Sequence, residues 1–425
     1  MMSVELPFWI LGVMAFLAAI YGMKRYQSPL NPLTIFAVTQ IGMFTILSGI
    51  ITINMIPTIG YDGADIVETT LISGVFLGGT TLPYLFYGSL PANLYGKGLG
   101  LLGLRSGAIA TRFSHVKFGL IMAGATGSFV ALALVGSGGI LWLTDTRQAY
   151  ITSRAGVGPL YALTQWLLVF ALVYYLWSCG PRVMKLLVVL VFFCVPAYFL
   201  GSKNSILTLL VTGIVYYNFR VKRFTLLGFI MFVGLAFFGV VGLLLAQGSY
   251  PSLLEGVLYF KDYFDTTAQF IARFDEFGFY YGRGWLSSLW FFVPRGLYAD
   301  KPYEYGLLLI HEVLFPGAAA SGNTPGVLEW ALAYLDFGVI GVFLFGIMSG
   351  IWQRMAYEYF LKQRHQFFAF VLAMQFSIWP IWTFAPLLLV IPWSVTQSIF
   401  LKLRLRNRSR IKGKFQKRMT SIIAA

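Results

Sequence analysis

Ionic side chains are scarce in this chain of 425 residues. Charged residues make up 11% of it, whereas soluble globular proteins carry about 25%. Hydrophobic residues make up 58%, and the mean hydropathy is +0.75. A water-soluble protein of this length could not bury so much apolar surface, so the composition excludes an ordinary soluble fold.

Groups that carry common site chemistry are also few. The two cysteines, Cys179 and Cys194, lie in apolar stretches and predict neither a disulfide framework nor a metal site. There is no glycine-rich phosphate loop and no Asp-x-Asp pair, so nothing indicates ATP or a metal-held sugar nucleotide. His311-Glu312 begins like a zinc-protease motif, but Phe315 stands where the second histidine belongs. We therefore expect no metal and no cofactor.

Long apolar runs dominate the sequence instead. A helix needs about 20 mostly apolar residues to cross a bilayer. The first run is followed by Lys24 and Arg25 and lacks a cleavage site, so we expect an uncleaved span. The fold class predicted is an all-α polytopic membrane protein, one transmembrane domain over 1–425. Eleven spans are predicted, at 6–23, 33–55, 69–91, 118–136, 159–179, 186–201, 204–219, 224–246, 326–352, 367–384 and 386–401.

Two pairs of these spans are tightly spaced. Spans six and seven are separated by three residues, and spans ten and eleven by about one. Each pair therefore predicts either two full spans or a re-entrant hairpin.

The distribution of charge predicts the orientation. Lysine and arginine favour cytoplasmic loops. With the basic tail 402–425 in the cytoplasm, the inner segments contain 23 of the 31 basic residues and, of the sixteen acidic residues, Glu358 alone. The amino terminus is then outside. The tail predicts contact with anionic lipid and no nucleic-acid partner, because no interleaved aromatic residues or nucleic-acid fold accompany its charges.

Eight basic residues remain on the outer side, and residues that break a rule are where function is sought. Most fall in the segment 137–158 or in the large external loop 247–325, which is rich in aromatic residues. Because arginine binds phosphate oxygens in pairs, we predict a phosphate site at the outer membrane boundary. The alternative is a local ion pair with Asp145, Asp275 or Asp300. The eight are Arg147, Arg154, Lys203, Lys261, Arg273, Arg283, Arg295 and Lys301.

Three short motifs contain these outer cations, and a fourth follows the large loop. They are Val293-Pro294-Arg295-Gly296-Leu297 with Asp300-Lys301-Pro302; Thr146-Arg147-Gln148-Ala149-Tyr150 with Arg154 and Gly156-Val157-Gly158-Pro159; Leu200-Gly201-Ser202-Lys203-Asn204; and Gly338-Val339-Ile340-Gly341. They resemble motifs of bacterial oligosaccharide repeat-unit polymerases, the O-antigen polymerases. The third motif has lysine where that family usually has arginine.

The resemblance implies a glycosyltransferase of the C type in the bacterial inner membrane, without a cofactor. Such a polymerase moves a growing glycan from polyprenyl pyrophosphate onto the next lipid-linked repeat unit. The implied partners are lipid-linked oligosaccharides, membrane lipids, a chain-length regulator and a flippase. An O-antigen ligase and a non-enzymatic lipid-linked oligosaccharide flippase remain as rival functions. The implied pyrophosphate ligands are Arg147, Arg154, Arg273, Arg295 and Lys301, supported by Lys203 and Arg283.

The acceptor hydroxyl of such a reaction requires a base. His311, Glu312 and Asp300 are the main candidates, with Asp275 as a further competitor. The alternative for His311 is packing within the loop. In span nine, the seven-residue spacing of Glu329 and Asp336 predicts one helix face, and carboxylates inside a span are functional candidates. We expect Glu329 to orient an arginine. The alternative for Asp336 is an interhelical hydrogen bond.

Two Gly-x-x-x-Gly pairs predict close packing between helices. They are Gly74 with Gly78 and Gly346 with Gly350. Small residues at this spacing let two helix backbones approach each other.

Overall fold

The computed structural model describes most of the chain as helices. It covers residues 4–55, 61–86, 113–136, 138–153, 157–178, 183–246, 260–293, 298, 300–317, 326–363, 369 and 371–374, and within these ranges there is no strand. Among the described residues, six helices are long and apolar enough to cross a membrane, at Leu6–Tyr26, Pro32–Asn54, Gly63–Leu85, His115–Val135, Gly158–Ser178 and Ala331–Lys362.

The amino-terminal part forms four long helices. α1 is Leu6–Tyr26 and starts with a proline, which suits a first helical turn. α2 has three consecutive parts, of which the middle one is a π-helix. α3 begins at Asp62, whose side chain accepts from the backbone N–H groups of Ala64 and Asp65. The bounds are Pro32–Phe36, Ala37–Leu47 and Ser48–Met55 for α2, Gly63–Leu85 for α3 and His115–Val135 for α4.

The remaining helices differ widely in length. The longest, α13, has 33 residues, whereas α5, α11 and α12 have eight or fewer. In chain order they are α5 Thr146–Ser153, α6 Gly158–Ser178, α7 Val183–Tyr198, α8 Lys203–Tyr216 with a π-helical extension Tyr217–Val221, α9 Leu226–Ala246, α10 Lys261–Ala272, α11 Arg283–Ser287, α12 Leu307–Leu314 and α13 Ala331–Gln363.

Helices therefore lie at each of the first nine predicted spans. The sixth and seventh are separate helices, α7 and α8, joined by a tight turn. α7, at 16 residues, is shorter than a full span requires. The predicted spans 367–384 and 386–401, apart from residues 369 and 371–374, and the tail 402–425 lie outside the described residues.

Helices α3 and α13 pack closely along small residues. A Cβ added to Gly346 would meet the carbonyl oxygen of Phe76 at 2.8 Å, and one added to Gly350 would overlap the carbonyl of Thr80. The predicted packing role of Gly346 and Gly350 is therefore confirmed. On α3 the prediction was wrong, because a Cβ on Gly74 would meet only Leu11, at 3.9 Å, and one on Gly78 would meet nothing within 4 Å, whereas Gly79 makes the close approach.

A break in α13 leaves two backbone carbonyls that bind a loop segment. Gly338 has φ 61° and ψ −150°, a conformation that favours glycine, and interrupts the helical geometry. The freed carbonyls of Leu335 and Asp336 accept hydrogen bonds from the N–H groups of Tyr280 and Tyr281, at 3.0 and 3.1 Å. The segment 278–287 is thereby fixed to α13.

Three helices meet in an ionic cluster on the face that the charge distribution assigns to the cytoplasm. The Arg354 guanidinium, which is buried, donates to Glu358 at 2.7 Å and to the carbonyl of Phe86 at 2.9 Å. Arg25 lies 3.7 Å from Glu358 and donates to the carbonyl of Tyr84. These arginines occupy the carbonyl end of α3, where a helix favours positive charge. The cluster consists of Arg25, Tyr26, Arg354, Glu358 and the last carbonyls of α3.

Candidate functional site

Two of the sequence motifs pack against each other at one end of the bundle. Gly201, in the turn between α7 and α8, has φ 63°, and a Cβ there would overlap the carbonyl oxygen of Thr146 and lie 2.8 Å from the Cβ of Tyr150. Glycine is needed both for the dihedral angle and for the close approach. The turn therefore holds α5, which carries Arg147.

Local contacts fix α5 itself. The carboxylate of Asp145 accepts from the N–H of Gln148 at 3.0 Å and caps the helix. The ring of Tyr150 packs 5.5 Å from that of Tyr161, whose hydroxyl lies 3.0 Å from Ser205 Oγ in α8. Arg147 is half-buried, with Cζ 5.5 Å from the ring of Tyr150. Asp145 thus acts as a helix cap.

The loop that is predicted to be external, 247–325, meets this region at Gly158. A Cβ on Gly158, the first residue of α6, would lie 3.1 Å from a ring carbon of Phe291. Phe291 belongs to a short 3-10 helix, Ser288–Phe292, that contacts α6. The motif containing Gly158 and the residues just before Pro294 are therefore neighbours in the fold.

Residues on the two sides of 294–297 are joined by two contacts. The ring of Trp290 stacks on Tyr298, with centroids 5.5 Å apart and an angle of 20°. Lys301, only 3% exposed, donates from Nζ to the carbonyl of Val293 at 3.0 Å and lies 4.5 Å from the ring centre of Tyr305. The Lys301 ammonium is thus buried in the base of this segment and is not presented to solvent.

Asp336 anchors the loop to α13. Its buried carboxylate accepts from the N–H groups of Gly284 and Trp285, at 2.8 and 2.9 Å, and so satisfies the start of α11. The structure thus gives Asp336 a hydrogen-bonding role between segments. Arg283, next to this anchor, is exposed, with Cζ 5.9 Å from the ring of Tyr280.

Arg273 lies in a local ion pair. Its Nη2 is 2.7 Å from Glu276 Oε2, and both side chains are well exposed, at 37% and 55%. The hydrogen bond to Arg273 lowers the pKa of Glu276 from its ordinary value. The alternative of a local pair therefore holds for Arg273, with Glu276 in place of the expected Asp275. Lys261 is likewise paired, 3.0 Å from Asp265.

The three candidate bases have different environments. Asp300 is exposed. His311 is 6% exposed, and its ring lies 5.2 Å from that of Phe315, an arrangement that fits the packing alternative. Glu312 accepts a hydrogen bond from the N–H of Gly317. Of the three side chains, that of Asp300 is the most accessible.

Glu329 carries a buried carboxylate. It is 4% exposed, and neither carboxylate oxygen has a hydrogen-bond partner within the described ranges. Burial raises its pKa well above the ordinary glutamate value. The expectation that Glu329 orients an arginine is not met among the described residues. The prediction that Glu329 and Asp336 share one helix face was also wrong, since Glu329 precedes the first residue of α13, Ala331.

Three predicted ligands are not placed by these contacts. Arg154 and Arg295 lie outside the described residues, as does the side chain of Lys203, although its backbone begins α8. Within the described ranges, no three His, Cys, Asp or Glu side chains come close enough to hold a metal ion.

The sequence interpretation missed the ionic cluster at the carbonyl end of α3. A signal was present, because Glu358 is the one acidic residue on the predicted inner side and follows Arg354 by four positions. The part played by the α3 carbonyls depends on tertiary contacts that this spacing does not contain.

The helices and their surfaces define a class of protein. Apolar side chains point outward along the long helices, with Trp9, Phe16 and Leu134 72%, 64% and 77% exposed. Such surfaces are stable against lipid and not against water. The fold is that of a polytopic α-helical membrane protein.

Within this class, the chain is similar to O-antigen polymerases. Two curated relatives with that name, from Salmonella typhimurium and Salmonella typhi, are each 22% identical over 270 residues, which is 59% of this chain. The match spans 63% of the length of each relative. It supports the resemblance found in the motifs. No protein-family model matches the sequence. No solved structure matches the chain.

Proposed function

We propose that this protein is a polymerase of polyprenyl-pyrophosphate-linked oligosaccharide repeat units, acting at the outer face of the bacterial inner membrane. The observation that carries the proposal is the convergence of three outer motifs. The turn at Gly201 contacts α5, and Gly158 contacts Phe291 in the loop that leads to Arg295. The similarity to two O-antigen polymerases supports the same conclusion.

The reaction transfers a glycan between two oxygen atoms. The anomeric C–O bond to the donor pyrophosphate breaks, and the pyrophosphate leaves with the bonding electrons. The hydroxyl oxygen of the acceptor repeat unit forms the new bond, and its proton passes to a base. Arginine side chains that are already fixed in place stabilise the charge that develops on the departing pyrophosphate.

The contacts favour different roles for the predicted ligands. Arg147, held on α5, and Arg154 and Arg295, in the adjoining segments, form the proposed pyrophosphate-binding set. Lys301 is a positioning residue in this proposal, because its ammonium is bound to the carbonyl of Val293. Arg273 would have to leave Glu276 to bind phosphate, so we place it outside the set.

Asp300 is the favoured base among the three candidates. It is exposed, and it lies next to the buried Lys301 and five residues after Arg295. His311 and Glu312 then serve the packing of α12 and the turn that follows it. The proposed partners are lipid-linked oligosaccharides and membrane lipids, with a chain-length regulator and a flippase acting on the same substrates.

Replacement of Arg295 tests the proposal. In cells without another such polymerase, we expect Arg295→Ala to remain in the membrane at normal levels but to leave single repeat units on the lipid anchor, because the departing pyrophosphate is no longer stabilised. Glycan length is read on gels, and protein amount by immunoblot of membranes. The matched control is Lys24→Ala, which removes an exposed cation at the opposite end of the bundle.

Two results would contradict the proposal. Wild-type glycan lengths in Arg295→Ala would remove that residue from the site. Full-length polymer left unattached to its final acceptor would instead indicate a ligase. Reconstitution of the protein with lipid-linked repeats and no nucleotide sugar distinguishes a polymerase from a flippase. Only a polymerase lengthens the glycan under these conditions.

A further inference from the structure

A second cation cluster lies at the opposite end of the bundle. The described residues include a cavity of about 300 Å³ between the last turn of α6, the π-helical end of α8 and α13. Three exposed cations line it within four residues of sequence: Arg220, Lys222 and Arg223. The charge distribution assigns this end to the cytoplasmic face.

Among the described residues, no acidic side chain neutralises these cations. In the described parts of the chain, none of the three forms an ion pair. The acid predicted for this face, Glu358, is already occupied by Arg25 and Arg354. A cluster of three positive charges therefore lines the cavity without a counter-charge from the described part of the chain, and an anion from outside the chain would stabilise it.

A buried polar side chain supplies a second feature of a binding site. Asn218 lines the cavity and is 3% exposed. Its Oδ1 accepts from the N–H of Phe224 at 2.9 Å, which fixes the orientation of the amide. Its Nδ2 has no hydrogen-bond partner among the described residues. A buried donor without an acceptor is unfavourable, so an oxygen atom of a bound anion would satisfy it.

The surroundings of the cavity favour a lipid. Aromatic rings form its other wall, where Phe219 and Phe360 pack with centroids 4.9 Å apart beside Trp177. Just beyond the cations, α9 begins with Leu226 and Leu227, which are 51% and 67% exposed. A headgroup in the cavity would place its acyl chains along this apolar surface.

We propose that this cavity binds the phosphodiester headgroup of an anionic phospholipid, such as phosphatidylglycerol. Arg220, Lys222 and Arg223 supply the positive charge, and the Asn218 amide donates to a phosphate oxygen. Arg220 is held in place by its hydrogen bond to the carbonyl of Trp177, at 3.3 Å. The proposal does not depend on the polymerase activity.

The test measures lipid retention by the purified full-length protein. Native mass spectrometry counts bound lipids after exposure to phosphatidylglycerol or to phosphatidylcholine. Each cation beside the bound headgroup raises the affinity for anionic lipid about fivefold, so the double variant Lys222→Ser/Arg223→Ser should bind phosphatidylglycerol roughly 25-fold more weakly. Lys24→Ser, at an exposed cation of the same face, should bind as the wild type does.

A second variant tests the amide without removing a cation. Asn218→Asp keeps the oxygen that accepts from Phe224 but replaces the donor with a negative charge, so we expect lower affinity for phosphatidylglycerol and unchanged retention of phosphatidylcholine. Equal retention of both lipids by the wild type, or unchanged retention in both variants, would overturn the proposal. Displacement of the lipid by millimolar inorganic phosphate would identify a free-phosphate site and would also overturn it.

Discussion

The contact between Gly201 and α5 gives the sharpest test of how the proposed site is assembled. We expect Gly201→Ala to reduce glycan length strongly, because the new methyl group displaces the helix that carries Arg147. A residue with a Cβ at φ 63° costs about 1–2 kcal/mol from backbone conformation. The overlap with the carbonyl of Thr146 adds about 1–3 kcal/mol, as in other overpacked sites.

A matched glycine separates these two contributions. Gly278 has φ 66°, nearly the same as Gly201, but a Cβ there would meet nothing within 4 Å. Gly278→Ala therefore carries the conformational cost of about 1–2 kcal/mol without the overlap. The difference in stability between the two variants should be about 1–3 kcal/mol.

The two variants are compared by thermal unfolding of the purified protein and by glycan ladders from cells. We expect Gly201→Ala to be the less stable variant and to make shorter chains at equal protein level. If Gly201→Ala and Gly278→Ala have the same stability and chain length, α5 is not held by the turn, and the reasoning on the convergence of the outer motifs is wrong.

Three further predictions follow from contacts elsewhere in the fold. Arg354→Ala should lower the free energy of unfolding by about 3–5 kcal/mol, because it leaves Glu358 and the carbonyl end of α3 without their main donor. Arg354→Lys should restore part of the lost stability. No loss of stability in the alanine variant would contradict the role of the cluster. Gly350→Ala should destabilise the protein, because its methyl group overlaps α3. Gly78→Ala, at an open position, should be neutral or stabilising by up to about 1 kcal/mol. Equal effects of the two variants on the melting temperature would argue against the close packing. Burial raises the pKa of Glu329, so its protonated form is favoured in the folded state. The stability of the wild type should therefore fall relative to that of Glu329→Gln as the pH rises above the ordinary glutamate pKa of 4.5. Parallel pH profiles of stability would show that Glu329 is not buried as a neutral acid.

The sequence predicted the helical class and most of the helix positions because both depend on local composition. The run at 159–179 became α6, Gly158–Ser178, since an apolar stretch of that length satisfies its backbone hydrogen bonds within itself. The start of α3, by contrast, was predicted six residues late. Asp62, Asp65 and Glu68 lowered the apparent hydropathy there, although Asp62 and Asp65 cap the first helical turn.

The site was predicted less completely than the fold. The motifs around Arg147, Gly201 and Arg295 were identified from sequence, but their contacts were not, because residues 146 and 201 are separated by two helices. Lys301 and Asp336 were chosen for their charge, and their actual partners are backbone groups, namely the carbonyl of Val293 and two N–H groups of α11. Contacts with backbone groups cannot be predicted from residue types, because nearly every residue has the same N–H and carbonyl groups.

The sequence by itself determined that this chain belongs in a membrane and which of its segments are rich in positive charge. These properties follow from the free energy of moving individual residues between water and lipid, which is nearly additive along the chain. Only the tertiary structure decided which cations stay accessible. Arg273 and Lys301 are both cations of the predicted external loop, yet one lies in an exposed ion pair and the other is buried against a carbonyl. The difference arises from the packing of the chain in three dimensions. A shift of a few ångströms between packed segments determines whether a cation binds a group of the protein or stays free for a ligand.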